Sequence, residues 1–116
     1  MDRLVREDYA VDDNSSYEEF VHGLIERPDY FPELLFIDEN YCGRFSDDSP
    51  EEPERFSWHF LHECGVAISF FRSKFPQIGT QDKYLEMEVS LLGLGTHIKK
   101  TKQYLEERVG RLTLNN

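Results

Sequence analysis

Long apolar runs, cysteines and catalytic signatures are what this sequence has least of. No stretch approaches the run of about 18 apolar residues that a membrane helix needs. The opening Met1-Asp2-Arg3-Leu4-Val5-Arg6-Glu7-Asp8 offers no apolar leader segment, so the reading is of a soluble, unexported and cytoplasmic protein. Cysteine is confined to Cys42 and Cys64, which in that compartment are expected to stay reduced as small apolar residues instead of pairing. No G-x-S-x-G elbow, P-loop or G-x-G-x-x-G turn is present. Gly93-Leu94-Gly95 is too short a fragment of one and reads as a joint between elements. An enzyme is therefore not expected, and no cofactor is implied.

Positive charge is scarce in one half. Residues 1–56 hold 17 of the 23 acidic residues and only 5 of the 13 lysines and arginines, a balance of −12, while residues 57–116 balance at +2. The whole net charge of −10 is thus an N-terminal property. A field of that sign repels nucleic acid and anionic lipid and draws in basic surfaces. Direct nucleic-acid binding would forgo the counterion-release term that supplies most of its affinity, so neither nucleic acid nor membrane is the expected partner.

Apolar residues make up 39% of the chain and aromatics 14%, too much burial material for a disordered acidic tail. At 116 residues the expectation is a single domain spanning 1–116. Ser16-Tyr17-Glu18-Glu19 has the form of a capping box, and Tyr17, Phe20, Val21, Leu24 and Ile25 follow at helical spacing until Pro28 ends the pattern near Arg27. Leu34-Leu35-Phe36-Ile37 fits either a buried strand or a helical turn. The stretch from Phe56 to Phe75 carries two periods. Phe60, Leu61, Cys64, Ile68, Phe71 and Phe75 make a helical stripe, while Phe56, Trp58, Phe60, Cys64, Val66, Ile68 and Phe70 alternate as a strand would. Cys64-Gly65 is a weaker hairpin signal than Asn-Gly or Asp-Gly, which favours one long helix ending at Pro76. Asp82 to Leu92 reads as a further helix with a period-two trace through Leu85, Met87, Val89 and Leu91. Thr96 then caps a last helix with Ile98, Thr101, Leu105 and Val109 inward and Lys99, Lys100, Lys102, Arg108 and Arg111 in water.

The expected fold is mostly α, a bundle of about four to five helices. Its alternative is α+β, with a small sheet from 34–37 and 56–71. The expected core comprises Phe20, Val21, Leu24, Leu35, Phe60, Leu61, Ile68, Phe71, Leu85, Val89, Ile98 and Leu105.

Two constellations bear on function. In the stretch from Asp38 to Glu54, which breaks regular structure with Gly43, Pro50 and Pro53, the acids crowd together. Asp38, Glu39, Tyr41, Asp47, Asp48, Glu51, Glu52 and Glu54 are the candidate partner-binding residues, with Phe45 and Phe56 as nearby aromatics. Carboxylates spaced on a compact surface can stand in for phosphates in the basic cleft of a protein that acts on nucleic acid. The expected activity is accordingly neutralisation of a basic toxin or nuclease, as an immunity protein or antitoxin does it. Ser49-Pro50-Glu51-Glu52 also fits a helix start, where acids suit the dipole. The second constellation is His59, His62 and Glu63, which on a helix would share a face and offer metal ligands, with Cys42 within reach. Its spacing is neither H-E-x-x-H nor H-x-x-E-H, and it supports only a lesser alternative, a small metal-dependent enzyme. A third reading is an adaptor anchored by an exposed aromatic, because Trp58, Phe70 and Phe71 cannot all face one core from a single helix. Lys99, Lys100, Lys102 and Arg108 give a solvated helix face or pair with the acidic half of the same molecule or of a second copy, which fits a monomer or weak homodimer.

Overall fold

In the computed structural model, residues 3–41, 54–76 and 83–115 are described. Among them the chain runs β1 (Leu4–Val11), α1 (Asn14–Glu26), a 3-10 turn (Pro28–Tyr30), β2 (Leu34–Tyr41), β3 (Glu54–His62), β4 (Ala67–Pro76), β5 (Lys83–Leu94), α2 (Gly95–Arg108) and β6 (Leu112–Leu114). The strands form one sheet in the order β2-β3-β4-β5-β1-β6, every pair antiparallel. The mostly α bundle is thereby overturned. Segments 34–37 and 56–71, which the alternative gave to a small sheet, belong to a sheet of six strands.

The reason lies in which of the two periods was the operative one. Phe56, Trp58 and Phe60 alternate along β3, and Ile68 and Phe70 along β4, so cross-strand pairing brings Trp58 beside Phe70 and Phe60 beside Ile68 on one face. β5 adds Val89 beside Phe70 and Leu91 beside Ile68, and all of these side chains are buried. A helix over 56–75 would have turned this apolar set right round its axis. The hairpin closes through Glu63–Val66, not through a two-residue turn. Gly65 takes φ +95, a conformation L side chains avoid, its amide donates to the His62 carbonyl at 2.8 Å, and the His62 amide donates to Val66 at 2.9 Å. Of the segment 82–92, expected as a helix, residues 83–92 lie in β5 for the same reason, the period-two residues Met87, Val89 and Leu91 being buried.

The two helices match expectation in place, with different caps. α1 begins at Asn14 and is capped by Asp13, whose carboxylate accepts the Ser16 amide at 3.1 Å and the Ser16 hydroxyl at 2.8 Å. These bonds, the amide foremost, hold the Asp13 carboxyl below the usual carboxylate range. Ser16, expected as the cap, is instead the residue that the cap holds. α2 starts at Gly95 directly after β5, with Leu94 rather than Thr96 in the cap position.

Both helices pack on the same face of the sheet. Tyr17, Val21 and Leu24 of α1 and Ile98, Thr101 and Leu105 of α2 are buried against it. Phe20 meets Phe70 edge-on at 6.2 Å, and the Tyr17 hydroxyl donates to the Gly110 carbonyl at 2.7 Å. Arg72 projects to this side too. It is paired with Glu18 at 3.3 Å while its guanidinium lies over the Trp58 ring at 5.3 Å. β1 pairs with β5 only as far as Ala10 opposite Glu88, and the Met87 amide just beyond is met by the Asn14 side-chain oxygen at 2.8 Å. Of the expected core, Val21, Leu24, Phe60, Ile68, Val89, Ile98 and Leu105 are buried and Phe20 and Leu85 pack against them. Leu35 and Leu61 are exposed and Phe71 faces away from the helices, because strand alternation turns them to the opposite side.

Candidate binding surface

Among the described residues no element packs on the face of the sheet turned away from the helices, here called the open face, and its side chains form rows that run across the strands. At one end Leu35, Leu61, Ala67 and Leu92 sit side by side on β2, β3, β4 and β5, and Leu94 lies opposite Leu4. These leucines stand in solvent, Leu4 with 72% and Leu35 with 61% of its surface exposed. The next row is polar: Asp38, His59, Ser69, Ser90 and Asp8. Beyond it come Asn40, Ser57, Phe71, Glu88 and Ala10, and then Arg55, Ser73 and Glu86.

His59 organises the polar row. Its Nδ1 lies 2.7 Å from the Ser69 hydroxyl, its Nε2 lies 3.2 Å from the Ser57 hydroxyl and 3.4 Å from the Asn40 amide, and the Asp38 carboxylate stands 4.0 Å from Nε2. The ring meets Phe71 edge-on at 6.1 Å. An imidazole held from both nitrogens is a fixed recognition element. A hydroxyl on an imidazole that has a carboxylate behind it is also the outline of a nucleophile and base. Ser69, however, lies on β4 between two paired neighbours, so the surrounding amides are spent on the ladder and none is free to receive an oxyanion. Charge on this face is unequal. Arg6 donates to Asp8 at 3.2 Å, so those two offset each other, leaving Asp38, Glu86 and Glu88 against Arg55.

A second polar cluster lies on the helix side, at the turn end of the β3–β4 hairpin. The Tyr104 hydroxyl donates to Glu33 through a short hydrogen bond, Arg108 stacks on the Tyr104 ring at 3.7 Å, and His62 meets that ring edge-on at 5.2 Å. The Tyr104 hydrogen bond, with help from Arg108, holds the Glu33 carboxyl below its usual range, while burial above all raises the Tyr104 phenol. His62 Nδ1 accepts the Cys64 amide at 3.1 Å and lies 3.1 Å from the Cys64 sulfur. An Nδ1 that already accepts a backbone N–H is poorly placed to take the thiol proton as well, which works against an activated cysteine here.

Of the expected site residues, the described ones do not share one face. Asp38 and Glu39 are neighbours on a strand and therefore point to opposite faces, Asp38 beside His59 and Glu39 on the helix side. Tyr41 follows Glu39 to that side, its ring tilted against Phe56 at 5.6 Å. Glu54 is half-buried opposite Lys74. Asp47, Asp48, Glu51 and Glu52, together with Phe45, Cys42 and the Ser49-Pro50 helix start, lie outside the described residues. The metal constellation does not form either. A spacing of three on a strand puts His59 on the open face and His62 on the helix face, and among the described residues no group of three metal-binding side chains gathers. Of the three aromatics weighed as anchors, Trp58 and Phe70 are buried and Phe71 faces the open side. Sequence reasoning missed the leucine row and the acids Glu86 and Glu88. Their signal was the second phase of each alternating strand, the positions between the buried ones.

No protein-family model, curated protein or solved structure matches this chain. Among the described residues no helix is long and apolar enough to cross a membrane.

Proposed function

We propose that this chain is a non-catalytic binding protein that captures and neutralises a basic protein partner, as an immunity protein or antitoxin neutralises a toxin acting on nucleic acid, and that the open face of its sheet is the contact surface. The observation that carries this reading is the uncovered face itself, where a row of solvent-exposed leucines lies beside a polar row with surplus carboxylates. Exposed apolar groups side by side stabilise a contact when water leaves them. The carboxylates, backed by a net charge of −10, steer a basic surface toward that face and speed encounter. Such a protein acts in the cytoplasm, where the Cys64 thiol stays reduced.

The test uses the intact chain as bait in lysate of its native host, washed at low and at high salt, beside two folded variants, Leu92→Asp and the pair Asp38→Lys with Glu88→Lys. The expected result is one stoichiometric basic protein that Leu92→Asp loses, and that the charge-reversed pair binds more slowly and with a weaker salt dependence. A basic partner held equally well by Leu92→Asp refutes the open face as the surface. A neutral or acidic partner that survives high salt and ignores charge reversal favours the second reading, an adaptor anchored by Leu35, Leu61 and Phe71. The exposure of those leucines is the specific observation behind that alternative.

A further inference from the structure

The two edges of the sheet are unequal. On one edge β6 pairs with β1 at Tyr9–Val11 only, and the remaining stretch of that edge, Leu4–Asp8, carries Arg6, Glu7 and Asp8. The other edge, β2, has eight residues, pairs on one side only among the described residues, and presents Leu35, Phe36 and Ile37 to solvent. A long apolar edge is a template for another strand, and proteins commonly blunt it with lysine, proline or a bulge. β2 contains no lysine and no proline. It has one bulge, a register shift between Phe36 and Asp38, and its only charges are Asp38 and Glu39. No lysine or arginine occurs anywhere from Pro28 to Gly43. An edge guarded by acids alone repels a second copy of a chain with net charge −10, yet attracts a strand of opposite sign.

We infer that β2 is a strand-addition site for an extended, basic segment of the partner, which continues the sheet by backbone hydrogen bonds. The inference rests on the proposed function for the sign of the partner's charge and for nothing else. Side chains of the added strand alternate between the two faces. Apolar residues fall beside Leu35, Phe36 and Ile37, and basic residues fall beside Asp38 and Glu39. The bulge gives this edge a polarity, because it separates the apolar half of β2 from the acidic half and so sets the direction in which such a segment fits. The same segment then leads onto the open face at the Leu35 end of the leucine row.

The test uses the full chain and a fluorescent peptide in which Val and Thr alternate between Lys-Arg pairs, beside the same peptide with alternate backbone nitrogens methylated. Methylation removes ladder donors and leaves charge and side chains unchanged. The expected result is saturable binding of the parent peptide, at least about tenfold weaker binding of the methylated one, and slowed amide exchange confined to β2. Glu39→Lys should weaken the parent peptide several-fold while Asp12→Lys, exposed beside β6 at the other edge of the sheet, leaves it unchanged. Equal binding of both peptides, an equal effect of the two substitutions, or no binding overturns the inference. Self-association with β2 protected also overturns it, as does β2 protection in the free chain that disappears when residues 44–52 are replaced by a Gly-Ser linker. These results do not depend on the lysate experiment. A basic partner captured without peptide binding leaves the proposed function standing and removes strand addition, and peptide binding without a basic partner does the reverse.

Discussion

Phe70 and Phe71 are adjacent in sequence and opposite in the fold, which makes them a sharp test of the sheet. Phe70 has no exposed surface, meets Phe60 edge-on at 5.8 Å and Phe20 at 6.2 Å, and lies beside Val89 and Trp58 in the pairing. Replacing it with alanine removes a buried ring and leaves a cavity bounded by other rings, for which about 3–5 kcal/mol is expected. The two edge-to-face contacts place it toward the upper part of that range. Phe71, on the open face against the His59 ring, is only half-buried. Its replacement gives up part of one side chain's burial, about 1 kcal/mol, and leaves no enclosed cavity. Equilibrium urea unfolding followed by Trp58 fluorescence measures both. With a slope of roughly 2 kcal/mol/M, Phe70→Ala lowers the midpoint by roughly 2 M and Phe71→Ala by roughly 0.5 M. Equal shifts in the two variants would refute the two-faced sheet, and a larger shift in Phe71→Ala would invert the assignment of faces.

Two further predictions concern the contacts that hold helices to strands. Asn14→Ala leaves the amide of Met87, itself buried, without its partner and should cost about 1–3 kcal/mol; faster exchange of that one amide by NMR identifies the cause, and an unchanged exchange rate argues against the contact. The lowered Glu33 carboxyl contributes stability that is present above its unfolded-state value and is lost as pH falls through its folded-state value. Tyr104→Phe, which removes the hydroxyl responsible, should therefore flatten the decline of the urea midpoint in mildly acidic solution, and an unaltered acid decline would show that this bond carries no such linkage.

The parts of the fold legible in sequence were those set by neighbours along the chain. α1 could be read because Tyr17, Val21 and Leu24 repeat at helical spacing and Pro28 follows, and α2 because Ile98, Thr101 and Leu105 do the same. Between them, Phe56 to Phe75 satisfied a helical and an extended period together. The choice was made by the pairing of Trp58 with Phe70 and of Phe70 with Val89, partners brought together only by the fold. β1 went unread because Glu7 interrupts the alternation of Val5, Tyr9 and Val11. The fold accommodates it through a hydrogen bond from the Tyr9 hydroxyl to the Glu7 carboxylate, and that bond together with burial raises the Tyr9 phenol. The acidic site was only partly legible for a related reason. Counting carboxylates along the chain treats Asp38 and Glu39 as allies, whereas the parity of a strand divides them, and Glu86 and Glu88 reach the open face from a segment that carries little of the charge excess.

The place of β1 in the sheet has a consequence for the order of events at the ribosome. Of the described strands β1 is synthesised first, and it pairs with β5 on one side and with β6, at residues 112–114, on the other. Its neighbours are thus the last two of the described strands to emerge, and such long-range pairing places folding in the slower range, roughly milliseconds to seconds. The meander β2 to β5 can assemble as it is made, but the sheet is completed only once β6 has been made. A chain interrupted between β4 and β5 would hold β1 with no strand to pair, so the finished sheet is acquired late, when β5 and then β6 are made.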